Sequence, residues 1–388
     1  MTTFIYFFLS TFFFFAALGI LAWLHNQAWL ELQTPHVTPP ASGARISVII
    51  PARNEAKNIR RCVEAVLAQD YPNFEALVLD DRSTDETPAI LAELSARDAR
   101  LLVLKGGDLP EGWAGKPHAL FQAAGAARGE WLLLLDADTF LHPNALSATL
   151  SAAQHSGADL YTVMTEQILG SFWEKTVMPL VFTALSVGFS PKKVNDPASR
   201  DAIANGQFIF IRRSVYDAIG GHQSVKNQIV EDKALSEKVK WGGYRLIVAD
   251  GRGIAKTRMY TNLASMWEGW TKNIYLGLAD TPAMLLLGAF GAFLALMAAL
   301  FMPVWPLLGF FWQQNGGGIW AALVIAQALA VWAALIFARA RVNAEMGISR
   351  GYALLTPLGA GVFAAMMFTS AWKVLSGSGV TWKGRRYR

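Results

Sequence analysis

Asp136 and Asp138 flank a single alanine directly after the apolar run WLLLL. Two carboxylates held this close repel each other unless something positive sits between them. Compact oxygen donors of this kind suit Mg²⁺ or Mn²⁺, with a diphosphate supplying the remaining oxygens. Such an ion would neutralise charge as a nucleotide departs. Asp80, Asp81, Ser83 and Asp85 follow a second apolar run, EALVL, where a carboxylate can accept a hydrogen bond from a base or a ribose. The bland alternative is a capped loop, since Ser83 or Thr84 followed by Asp85 and Glu86 also suits a helix start. In GWAGKPHA, Gly112 and Gly115 bound a turn that presents Lys116 as a mobile charge for phosphate, with His118 as a candidate donor contact or an ordinary packed histidine. This is not the GxxxxGK[ST] loop. Asn205, Gly206 and Gln207 could line an acceptor pocket before FIFIRR. Glu231 and Asp232 then open the pattern EDKALSEKVKWGGYRL. A carboxylate at a helix N-terminus is favoured as the anion, which suits a general base, although a plain helix cap would use the same residue.

These groups need elements that position them. RISVIIP, EALVL, LLVL and WLLLL read as buried strands. Helical patterns separate them at residues 56–69, 87–97 and 116–128. That alternation predicts a mostly parallel α/β sheet covered on both faces. Ligands on such sheets bind beyond the carboxyl ends of the strands, and three of these strand ends carry the polar clusters.

Composition adds a membrane. Hydrophobic residues make up 53% of the 388, charged residues only 16%, and the mean hydropathy is +0.30. The apolar excess lies at the ends. Phe4 to Leu24 carries no charge and is long enough to cross a bilayer; the start MTT lacks the basic region of a cleaved signal. Residues 283–312, 319–338 and 352–372 form further apolar stretches, the first interrupted by Pro303 and Pro306. Basic residues at 339, 341 and 350 and in the tail after Trp372 would face opposite sides if residues 352–372 span fully, against the positive-inside bias. The net charge of +5 carries no basic run with interleaved aromatics in mid-chain, so nucleic acid is not an expected partner. Cys62 is the only cysteine, which excludes an internal disulfide. FWEKTVMPLVFTALSVGF and RMYTNLASMWEGWTKN read as membrane-surface elements, the second offering Arg258 and Lys272 to phosphate and Trp270 to a sugar face.

PARNE, DDRSTDET, DAD and ED, in this order, resemble the family 2 inverting glycosyltransferases with the GT-A fold, over about residues 46–246. With GWAGKPHA and the apolar ends, the whole chain resembles the hopene-associated subgroup, relatives of ceramide and carotenoid glucosyltransferases. The resemblance implies an α/β GT-A domain with an N-terminal and several C-terminal transmembrane helices. It implies that Ala52 and Glu55 lie around the nucleotide, Asp81 contacts its base, Asp136 approaches the nucleotide and Asp138 holds the divalent metal, Mn²⁺ or Mg²⁺. Lys116 would sit near the diphosphate and Asp232 would be the base, with Glu231, Arg258, Trp270 and Lys272 as acceptor or diphosphate contacts. Membrane members often close the site with Q-x-x-R-W; here the chain reads Met266-Trp267-Glu268-Gly269-Trp270, which counts against a processive polysaccharide synthase.

The expected organisation is an N-terminal anchor at 1–28, a GT-A domain at 44–280, a C-terminal membrane region at 283–375 and a basic tail at 376–388. The expected activity is inverting transfer of a sugar, from a donor such as a UDP-hexose, to a membrane lipid such as a hopanoid. The setting expected for it is an integral protein of the bacterial inner membrane with a cytoplasmic catalytic domain. A polyprenyl-phosphate acceptor competes within transferases. A nucleotidyltransferase and a non-catalytic membrane scaffold remain as alternatives of other classes. Fold alone licenses none of these.

Overall fold

The computed structural model describes residues 5, 7–12, 14–15, 18–19, 43–188, 190–279, 282–382 and 385–387. The chain divides into two compact units, one comprising Trp29–Ile168 and Phe189–Met259, the other Met1–Ala28, Leu169–Gly188 and Tyr260–Arg388.

The first unit is built on an eight-stranded sheet in the order β3-β2-β1-β4-β7-β6-β8-β5. Its strands are β1 (Ile46–Ala52), β2 (Phe74–Asp80), β3 (Leu101–Lys105), β4 (Trp131–Leu135), β5 (Thr139–Leu141), β6 (Leu160–Gln167), β7 (Phe208–Arg212) and β8 (Leu246–Thr257). The four strands expected from sequence form the parallel half, β3-β2-β1-β4. β7 and β5 run against the rest, so the sheet is mixed. Helices α1 (Ile59–Leu67), α2 (Thr87–Ser95) and α3 (Gly115–Ala126) supply the crossovers, α4 (Ala145–Ser156) follows β5, the short α6 (Pro191–Asn195) and α7 (Arg213–Ala218) come before and after β7, and α8 (Glu231–Trp241) precedes β8.

Side-chain alternation along each strand explains the near-continuous apolar runs. Val48 and Ile50 of β1, Ala76 and Val78 of β2, and Leu133 and Leu135 of β4 join one core. Ile49, Leu77, Leu79, Leu132 and Leu134 join a second core on the opposite face. Both faces are buried, so both sets of positions must be apolar. Trp131 stacks on Phe210 of β7 with centroids 4.6 Å apart and planes 3° apart.

The second unit contains α5 (Phe172–Gly188), α9 (Leu263–Ala279), α10 (Pro282–Gln314), α11 (Gly318–Glu345), a 3₁₀ turn at Arg350–Leu355 and α12 (Thr356–Leu375), with a short antiparallel pair, Val380–Trp382 and Arg385–Tyr387. α10 runs through Pro303 and Pro306 as one helix.

The membrane expectation needs correction. Among the described residues, two helices are long and apolar enough to cross a bilayer, Gly318–Glu345 and Arg350–Leu375. No N-terminal transmembrane helix is among them, and most of the anchor expected at residues 1–28 lies outside the described residues. Among the described residues, the expected N-terminal anchor and several C-terminal spans thus reduce to two C-terminal candidates. Residues 383, 384 and 388 of the basic tail also lie outside the described residues.

Candidate active site

The loop after β1 and the loop after β2 are stitched together by side chains. Asn54 N–H donates to Ser83 Oγ at 2.9 Å, and Thr84 N–H donates back to Asn54 Oδ1 at 2.8 Å. Glu55 N–H reaches Thr87 Oγ1 at 2.9 Å and Ala56 N–H reaches Asp85 Oδ2 at 3.1 Å. The polar residues of PARNE and DDRSTDET therefore build one another's turns before any ligand is considered. Asn54 and Arg82 adopt left-handed backbone, φ 55° and 57°, and Arg82 is a residue that rarely does so.

That stitching places Asp81. Its N–H donates to Ala52 O at 2.7 Å, which sets Ala52 and Asp81 side by side at adjacent strand ends. The buried Asp81 carboxylate receives Arg82 Nη2 at 3.0 Å and lies 3.9 Å from Arg53 Nη1, while Arg53 also donates to Asp81 O at 2.9 Å. Glu55 is buried and accepts from Asn58 Nδ2 at 3.0 Å. His118 is buried against Trp113, ring centroids 5.2 Å apart, with Gln122 Nε2 at 3.1 Å from its Nδ1. Burial holds its imidazole below the ordinary histidine range.

A second group forms around Lys116, at the start of α3. Its Nζ lies 2.7 Å from Asp136 Oδ1 and 2.9 Å from Glu231 Oε1. One cation thus ties the end of β4 to the first turn of α8. Burial pulls the ammonium down, but the Asp136 and Glu231 carboxylates outweigh it and hold Lys116 well above the usual lysine range. Asp232 accepts from Gly206 N–H at 3.0 Å and from Lys233 N–H at 2.8 Å. Burial, then repulsion by Glu231, pushes the Asp232 carboxyl up to about 6, against the pull of Lys116 and the two amides. The helix-terminus argument from sequence pointed the other way. Desolvation and a neighbouring anion outweigh the helix dipole here.

Asp138 lies two residues beyond Asp136 in the tight turn closed by Thr139 N–H to Asp136 O at 3.0 Å. Cys62 is buried beneath these carboxylates, its thiol donating to Asp136 O at 3.8 Å. Burial first, then Asp138, Glu55 and Asp136, push that thiol well up. No cluster of three or more His, Cys, Asp or Glu side chains fit to enclose a metal occurs among the described residues. The donors at the β4 end are hard carboxylate oxygens. One or two carboxylates completed by phosphate oxygens and water is the ordinary Mg²⁺ arrangement, so Asp138 with Asp136 fits such an ion.

The remaining expected residues fall elsewhere. Arg258 directly follows β8. Trp270 and Lys272 lie on α9 in the other unit. Trp270 is buried there, its Nε1 donating to Met178 Sδ at 3.2 Å. Asn205 and Gln207 are used within the sheet end: Asn205 Nδ2 donates to Val163 O at 2.9 Å and Gln207 Oε1 accepts from Thr165 Oγ1. Sequence reasoning passed over Arg53 and Arg82, which the motifs themselves contain. It also passed over His222, buried and bonded to Tyr216 OH at 2.9 Å. Burial and then Lys116 hold His222 down to about 3, so it is neutral beside the cluster. No local pattern marks it, because its proximity to Lys116 arises from packing of the 3₁₀ turn Gly221–Val225.

Residues 47–220 match the model of the glycosyl transferase family 2. The chain is 28% identical over 348 residues to a 4,4'-diaponeurosporenoate glycosyltransferase of Staphylococcus aureus strain MRSA252, covering 88% of each chain. The protein of that name from strain NCTC 8325 is similar to the same degree, 28% over 88% of each chain. Among solved structures, a mannosyltransferase from Pyrobaculum calidifontis in complex with GDP-Man and Mn²⁺ aligns with a TM-score of 0.55 at 18% identity, covering 95% of this chain and 98% of that one. At that identity the likeness speaks for the fold. Residues 47–220 thus match the glycosyl transferase family 2, and over most of its length the chain is similar to carotenoid glycosyltransferases.

Proposed function

We propose that this protein transfers a hexose, with inversion, from a nucleoside-diphosphate donor to an isoprenoid lipid acceptor at a membrane. The observation that carries the reading is the cluster at the strand ends, where Lys116 bridges Asp136 and Glu231 and Asp232 stands next in the chain. The two candidate spans and the isoprenoid named in the curated relatives support the membrane and acceptor class.

In this reading Asp81, steadied by Arg53 and Arg82, accepts from the base, a UDP donor being the simplest case. Ala52 and Glu55 lie beside the nucleotide. Lys116 meets the diphosphate as a point charge, with Arg258 as a further phosphate partner. A divalent cation, Mn²⁺ or Mg²⁺, held by Asp138 with Asp136 beside it, would supply charge neutralisation for the departing diphosphate. Asp232 takes the proton from the acceptor hydroxyl or acid, and a single displacement at the anomeric carbon inverts it. With its carboxyl near 6, Asp232 is mostly ionised at neutral pH yet basic enough to accept a proton.

The test uses purified protein in native lipid extract with labelled nucleotide-sugars and Mn²⁺ or Mg²⁺. Label should enter the organic phase, with nucleoside diphosphate released, and Asp232→Asn should stop both. Release of pyrophosphate would instead identify a nucleotidyltransferase. No turnover across donors, from folded protein with working controls, would leave a scaffold.

A further inference from the structure

The buried stripe of α11 changes character along its length. Ala321, Val324, Ala328 and Val331 bury an apolar face. Two to three turns further, the same face carries Arg339, 5% exposed, and Asn343, fully buried. They are four residues apart and so lie one above the other on the helix.

Part of Arg339 has a clear structural use. Pro179 inside α5 has no N–H, so the carbonyl of Lys175, four residues earlier, loses its helical partner. Arg339 Nη2 reaches Lys175 O at 3.3 Å and Thr176 O at 3.0 Å. α12 approaches the same point, since a Cβ on Gly359 would stand 2.5 Å from Thr176 O. Two carbonyls occupy one nitrogen and leave the charge uncompensated. Nε and Nη1 of Arg339, and both amide atoms of Asn343, are buried with no hydrogen-bond partner among the described residues. No carboxylate pairs with Arg339 among those residues.

A buried guanidinium is retained when something compensates it, and an ionisable group on a membrane helix marks a ligand contact more often than a packing contact. Nε and a terminal N–H of arginine form a fork that fits two oxygens of one acid group. Asn343 adds a donor one turn away.

We propose that Arg339 and Asn343 form an oxyanion site in the helical unit that holds the acid group, carboxylate or phosphate, of a lipid. The source is either the acid head of the acceptor or the headgroup of a resident acidic phospholipid. The acceptor source rests on the reading of this chain as a lipid glycosyltransferase.

Full-length protein in phosphatidylcholine nanodiscs, without donor, is titrated with farnesoic acid and with farnesol, and the titration is repeated with phosphatidylglycerol present. Because Arg339 also braces α5, Asn343→Leu accompanies Arg339→Gln; the leucine keeps the bulk and leaves the Arg339 bonds in place. Nucleotide binding is measured on every sample, and sugar transfer is assayed separately. Wild type should bind the acid about tenfold more tightly than the alcohol, the difference made by hydrogen bonds to a charged group. Asn343→Leu should remove that preference while nucleotide binding stays unchanged. Loss of the acid's advantage on adding phosphatidylglycerol, with that lipid co-purifying with wild type and not with Asn343→Leu, assigns the site to the phospholipid. Equal binding of acid and alcohol by wild type, with no difference in retained phospholipid between wild type and Asn343→Leu, overturns the proposal. Acid binding that survives while transfer fails would count against the transferase reading and leave the site standing.

Discussion

The backbone N–H of Gly206 donates to Asp232 Oδ2 at 3.0 Å, and a Cβ built on Gly206 would stand 2.6 Å from that same oxygen. The glycine is needed for space at this point, and it holds the carboxylate through its own amide. Gly206→Ala should therefore displace Asp232 while leaving both hydrophobic cores intact. A shift near 1 Å costs about 100-fold in rate. The measurement is kcat for sugar transfer beside the melting temperature; a fall in kcat with an unchanged melting temperature is expected. An alanine variant with wild-type kcat would remove Asp232 from the reacting centre.

Asp232 sets a pH dependence of definite sign. Its carboxyl is raised to about 6 and must be ionised to accept a proton. Activity should rise with pH through that value and level off above it. Glu231 raises the carboxyl and Lys116 lowers it. Glu231→Gln should therefore move the acid limb of the kcat/KM profile down, and Lys116→Met should move it up. Profiles of the three proteins side by side decide this.

Lys116 joins two carboxylates on different elements, at 2.7 and 2.9 Å. Removing the ammonium leaves Asp136 and Glu231 without that counter-charge and takes a cation from the diphosphate position. Lys116→Met should raise the donor KM by at least about tenfold, the loss of one charge-assisted contact. Lys116→Arg should restore little, since a planar fork replaces a point charge. Titration of nucleoside diphosphate into each variant gives the same ranking without catalysis.

Chelation should abolish transfer, and Mn²⁺ or Mg²⁺ should restore it. Asp138→Asn should raise the metal concentration needed for half-maximal rate while Asp232→Asn should not, which separates the carboxylate assigned to the ion from the one assigned to the proton. The rate as a function of free metal concentration is the measurement.

Cys62 is buried, and its thiol is pushed well up by burial and by Asp138, Glu55 and Asp136. A maleimide should leave it unmodified in the native protein at neutral pH and label it once denaturant opens the fold. Rapid native labelling would show that the carboxylate loops open.

The parallel half of the sheet was legible because β1, β2 and β4 are buried on both faces, leaving unbroken runs such as ISVII and WLLLL between polar strand ends. β5 and β8 were harder to see. β5 is only Thr139–Leu141, and β8 runs through Asp250, Gly251, Arg252 and Gly253 before continuing. Neither leaves a clean apolar signal. The helix at Glu231 was marked by its acidic start and by Gly242 and Gly243 at its end. The membrane segments were over-read in number, for apolar composition pointed to an N-terminal and several C-terminal spans where two C-terminal candidates stand among the described residues.

The sequence by itself determined which residues stand at the ends of β1, β2 and β4, since strand period and burial fix where an apolar run must stop. It thereby determined the chemistry available: carboxylates, one lysine and glycine-bounded turns. Only the tertiary structure decided that Lys116 would join Asp136 to Glu231, which lies 95 residues beyond that aspartate and 115 beyond the lysine. It also decided that Gly206 would seat Asp232 and that Arg339 would answer the carbonyl freed by Pro179. Those pairings depend on how separate elements pack, and side-chain electrostatics follow from distance in space rather than along the chain. For the same reason the carboxyl of Asp232 rises where a helix N-terminus alone would lower it.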